Sequence, residues 1–158
     1  MRVSKIRVIL ATTMAVGVAA PVALAGSLPK VPDAPGHQFK VKPASIAISG
    51  DGSFFFAGRR RPNHRPAPLK WTSWTPTGGH GSGFNWVNNC RPSCAAGRFT
   101  LYPVKLHVWR PRHVRGHFIF TRMTVRYTSS HPRHTKKTGV YRADHHNGFF
   151  FWDAPSGT

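Results

Sequence analysis

The chain has 158 residues, of which 23 are Lys or Arg and only four are Asp or Glu, a formal charge of +19 with its ten histidines neutral. Glutamate is absent, and Asp33, Asp51, Asp144 and Asp153 are the whole carboxylate supply; this disfavours acid–base mechanisms built on paired carboxylates, glycoside hydrolysis of the usual kind among them. So large an excess of one sign implies attraction to polyanions, a statement about partners and solubility rather than about fold.

The first 25 residues read as a secretion signal. Arg2, Lys5 and Arg7 supply a positive end, Val8 to Ala20 form an uncharged apolar run, and Ala23-Leu24-Ala25 offers the small residues a signal peptidase accepts, placing the cut before Gly26. The run is shorter than a membrane-spanning helix needs. No cysteine follows the cut and residues 1–7 contain no adjacent arginines, which favours the general secretion route. This segment holds three of the 23 basic residues and none of the acids, leaving +16 on the remainder. No second apolar run of spanning length follows, so the expected product is a monomeric domain, secreted or associated with the cell envelope, without a transmembrane segment. Residues 26–43 carry Pro29, Pro32 and Pro35 among few apolar residues and read as an extended tether, with folding beginning near Ser45.

From there the pattern is one of strands and turns, because short apolar runs meet Gly, Pro or Asn before a helical period can establish itself. Residues 45–48, 53–57, 69–74 and 84–87 are candidate strands. Val104, Leu106 and Val108 alternate with Lys105, His107 and Trp109. In residues 117–127, Ile119, Met123, Val125 and Tyr127 share one face, while Arg122, Thr124 and Arg126 point the other way. Residues 110–116 join these two strands as a long-looped hairpin. Residues 149–152 form the last strand, announced by the turn signal Asn147-Gly148. The predicted fold is all-β, a small antiparallel sandwich or barrel of about six or seven short strands. Residues 44–128 form its core, and residues 129–158 are an extension supplying one more hairpin of the same domain.

Cys90 and Cys94 bracket Arg91-Pro92-Ser93. Outside the cytoplasm they read as a disulfide closing a very small ring, worth about 2 kcal/mol by loop closure. The alternatives are a metal site, for which no histidine stands at a ligand spacing, and a redox pair, for which the spacing is one residue too long. Asp51-Gly52 reads as a tight turn, since a calcium loop needs several spaced oxygen ligands and has one carboxylate here. No metal and no cofactor is expected.

Ile48-Ser49-Gly50-Asp51-Gly52, Trp71-Thr72-Ser73-Trp74-Thr75 and Asn88-Asn89-Cys90-Arg91-Pro92-Ser93-Cys94-Ala95-Ala96-Gly97-Arg98-Phe99 together resemble a group of small exported actinobacterial proteins without an established activity. The resemblance spans residues 44–128 and rests chiefly on the asparagine-flanked cysteine pair. It implies secretion and a compact β-rich domain with a disulfide, and supplies no activity. The basic segment between Gly58 and Leu69, and the chain beyond Ser129, depart from the pattern.

Three basic clusters fall in expected loops: Arg59, Arg60, Arg61 and Arg65; then Arg110, Arg112 and Arg115; then Arg133, Lys136 and Lys137. Were the sheet to gather these loops at one end, they would form a positive rim for phosphates or acidic polymers. Trp71, Trp74 and Trp86 would add stacking surfaces if exposed and core if buried. The functional expectation is a non-catalytic module attaching to an anionic surface or polymer: envelope polymer, lipid headgroup or nucleic acid. One alternative is a secreted nuclease in which His145 or His146, beside Asp144, performs acid–base chemistry; neighbouring side chains on a strand point to opposite faces, which counts against it. The other is a structural envelope protein.

Overall fold

The computed structural model describes residues 27–33 and 38–155; the expected signal over residues 1–25 lies outside them. The fold is all-β, with no helix among the described residues. Ten strands follow in chain order: β1 (Val31–Asp33), β2 (Gln38–Lys40), β3 (Ile46–Ala47), β4 (Phe54–Ala57), β5 (Lys70–Trp74), β6 (Gly78–Asn88), β7 (Phe99–Val114), β8 (His117–Tyr127), β9 (Thr138–His146) and β10 (Phe149–Asp153). Eight of them make one antiparallel sheet in the order β10-β9-β8-β7-β6-β4-β3, with β5 also paired to β6. The long strand β6 therefore carries two short partners in tandem, β5 on residues 79–82 and β4 on residues 84–87.

The sheet curls into a half-barrel, and the period-two pattern decides what lies inside it. Val104, Leu106 and Val108 of β7 sit opposite Tyr127, Val125 and Met123 of β8. All six are buried, and with Phe56, Trp74, Tyr141 and Trp152 they form the core.

The strands are longer than expected. β7 continues through Arg110 to Val114, and a two-residue turn, Arg115-Gly116, replaces the long loop. Both turn residues have positive φ (50° and 79°), the geometry whose twist matches that of the paired strands. Arg110, with φ 57°, interrupts the ladder, and Thr121 Oγ1 donates to its carbonyl at 2.8 Å. Across this break the inward face shifts by one residue, so that Phe120 and Met123, three apart, both enter the core. Asn147-Gly148 makes the expected turn, with φ 49° and 83°, and β9 pairs with β8, so residues 138–153 complete the sheet as its last hairpin.

The proline-rich stretch is not a free tether. β1 and β2 pair with each other, Lys30 exchanges backbone hydrogen bonds with Phe118 and Phe120, and Val31 is buried. β1 lies against β3, β8 and β10, across the mouth of the curl. The reason is chemical: prolines lack a donor but keep a carbonyl. Trp74 Nε1 donates to the Pro29 carbonyl and Trp152 Nε1 to that of Pro32, each at 3.0 Å, while Trp71 Nε1 donates to Pro43 at 2.8 Å.

Candidate functional site

The opposite, outer face of the sheet collects the polar half of each alternating strand. Register places its residues in three rows running across the strands. The first is Lys70, Ser82, Lys105, Arg126 and Thr138; the second is Ser73, His80, His107, Thr124 and Val140; the third is Gly78, Trp109, Arg122, Arg142 and Asp153. Five cations thus stand on one face, and among the described residues no carboxylate lies within ion-pairing distance of any of them. Burial, with the charges of Arg110 and Arg142 adding, holds the Arg122 guanidinium below its ordinary value. Burial is the larger cause, and the neighbouring like charges act in the same direction. Arg122 Nη1 donates to the Thr121 carbonyl at 2.8 Å, which anchors the side chain.

Rings interleave with these cations. His80 and His107 stack with centroids 4.2 Å apart and planes within 4°. His107 and Trp109 lie 6.4 Å apart and within 20° of parallel. Trp109 Nε1 donates to Thr124 Oγ1 at 3.0 Å, which fixes the indole. Burial first, and then the His80 charge, pushes the His107 imidazole below its ordinary value.

The three basic clusters do not meet on one rim. Residues 110–117 lie at the turn end of the β7–β8 hairpin and residues 131–137 beyond its other end, separated by the whole of β8. Single residues from two of the clusters join the outer face instead. Arg59 lines a cleft of about 430 Å³ with Lys70, Ser82, Phe84 and Lys105, its guanidinium 5.8 Å from the Phe84 ring centre, and Arg110 acts on Arg122. Arg60 covers Trp86 at 5.1 Å, closing over an outer-face aromatic group with Phe55 and Phe99. Arg61 and Arg65 border a separate hollow with Ala44 and Ser45. Arg112 and Arg115 project at the hairpin end, and Arg133, Lys136 and Lys137 belong to the β8–β9 connection, where Lys136 lines an apolar cavity of about 160 Å³ with Tyr127 and Tyr141. Lys70, Lys105, Arg122, Arg126 and Arg142 are the functional candidates that reading for clusters missed. Their signal was present in the strand alternation, but only register makes them neighbours.

Cys90 and Cys94 form the disulfide, with an S–S distance of 2.02 Å. Asn88 Oδ1 accepts from the Cys90 amide at 2.9 Å and its Nδ2 donates to the Cys94 carbonyl at 2.7 Å, while Asn89 Oδ1 accepts from Arg91 and Arg98. The two asparagines thus tie the ring's backbone to the end of β6. An Asp51 carboxylate oxygen lies within 4.8 Å of both sulfurs, but a disulfide offers no thiolate, so the group is not a ligand set for a metal. Hydrogen bonds from Ser53 and Ser49 lower the Asp51 carboxyl to about 2 and account for its place in a turn. On β9, His145 pairs with Phe150 and His146 with Phe149, so the two histidines face opposite ways, and Asp144 Oδ1 accepts the His145 amide at 2.7 Å. No family model matches the chain, and no curated protein or solved structure is significantly similar to it.

Proposed function

We propose that this chain is an exported, non-catalytic module that attaches to anionic polymers through the outer face of its sheet. The observation that carries this reading is the set of Lys70, Lys105, Arg122, Arg126 and Arg142 on one curved face, with no ion-pairing carboxylate among the described residues. Such a surface keeps its charge available and gains free energy when a polyanion sheds its counterions there. An open sheet face also suits an extended chain better than a compact ligand, because its cations are spread over four strands of the sheet, Lys70 on β5, Lys105 on β7, Arg122 and Arg126 on β8 and Arg142 on β9.

The test compares placement at an equal loss of charge. The purified protein is expected to stay on a heparin column past moderate salt. Changing Arg122, Arg126 and Arg142 to Gln should advance its elution strongly, whereas changing Arg61, Arg65 and Arg133 to Gln should advance it little. Elution of the native protein at low salt, or equal effects of the two triple variants, would reject attachment through this face.

A further inference from the structure

We infer that the outer face takes single-stranded nucleic acid, with one base entering between the rings of His107 and Trp109 and the phosphates lying on the flanking cations. This rests on the anion-binding reading above and adds to it the chemical class of the polymer.

The slot follows from strand geometry. Residues two apart on a strand project from the same face with roots about 6.8 Å apart. The ring centroids of His107 and Trp109 lie close to that separation, 6.4 Å apart, with the planes within 20° of parallel. Stacked bases repeat at about 3.4 Å, so a planar ring held between two others needs about 6.8 Å. Both walls are braced. His80 stacks on His107 at 4.2 Å, and Thr124 Oγ1 holds the indole through Nε1. Charge lies on either side of the slot along the strands: Lys105 and Arg126 one row away, Arg122 and Arg142 in the row of Trp109. A backbone crossing these rows meets cations before and after the stacked base.

The arrangement also selects among polyanions. A duplex presents base edges in its grooves and keeps the base planes covered, so it could use the cations but not the slot. A sulfated or uronic-acid polymer carries charge, but its puckered sugar rings bear hydrogens on both faces and are too thick for a gap of this width. An unpaired base is flat, and because every base has a π-face, recognition would tolerate sequence. Burial favours the neutral His107 ring, which suits a stacking wall.

Binding of the purified protein to labelled oligothymidylate of about eight nucleotides would be compared with an abasic strand of equal phosphate number, with heparin binding as a parallel measurement. The base-bearing strand is expected to bind about 5- to 100-fold more tightly, with quenching of indole fluorescence. Trp109→Ala should abolish that preference and most of the quenching, while leaving abasic-strand and heparin binding unchanged. Trp109→Phe should retain the preference, and His107→Ala should reduce it. Equal affinity for the two strands, or a preference that survives in Trp109→Ala, would overturn base stacking while leaving anion attachment intact. Failure to bind either strand or heparin would overturn both.

Discussion

His107 shows how a single side chain is set by its cross-strand partner. Its ring is pressed against His80 and partly covered, so the folded state disfavours its protonation. The unfolded chain takes up that proton near the ordinary imidazole value of 6.5, the folded protein only at lower pH. Between those two values the unfolded state binds more protons, so stability rises with pH. The contribution is complete above the ordinary value and is lost as pH falls through the folded one. The midpoint of urea unfolding is therefore expected to fall further between about pH 7.5 and about pH 5.5 in the native protein than in His107→Gln. Identical shifts in the two proteins would show that the stacked pair is not the cause. The same residue shows how far reading residue by residue reached. That His107 shares a face with Lys105 and Trp109 was legible from alternation, but His80 lies 27 positions earlier in a glycine-rich run that carries no strand signal, and only pairing reveals it.

At the scale of elements, the segments misread were those whose local propensity opposes their tertiary role. Gly78 to Gly83 carries four glycines, which weaken an isolated strand. In the fold these positions give room. A Cβ at Gly81 would come within 2.7 Å of the Trp71 ring and one at Gly79 within 2.8 Å of that of Trp74, so the indoles cross β6 only because it is bare there. β1 presents the opposite case, since proline spacing suggested an unattached segment and the carbonyls those prolines leave free are held by indole N–H groups. Trp152→Phe keeps most of the apolar bulk but leaves the Pro32 carbonyl without its donor in a buried position. It is expected to cost about 1–3 kcal/mol in chemical denaturation. A cost near zero would mean that β1 closes the half-barrel through Val31 alone.

For the whole molecule, stability rests on the long β6–β7–β8 ladder and the core beneath it, not on the covalent link. The disulfide closes only residues 90–94, and the asparagine hydrogen bonds hold the same turn independently. Reducing it, or replacing both cysteines by serine, should leave the far-ultraviolet spectrum of the sheet intact and lower stability by about 2 kcal/mol or less. Loss of cooperative unfolding on reduction would show that the ring organises more than its own turn. The outer face is a property of the same scale: its charge density comes from strands contributed by residues 70 to 142, no two of whose cations form a run in the chain.

The all-β class, the polar and apolar faces of β7 and β8, the Asn147-Gly148 turn and the pairing of the two cysteines were determined by sequence alone, because alternation, turn chemistry and a four-residue separation are local properties. The packing of β1 across the open curl, the length of β6 and the gathering of five cations around the rings of His80, His107 and Trp109 were decided only by tertiary structure. Each depends on which strand lies beside which, and cross-strand register is a relation between residues far apart in the chain that no local pattern encodes.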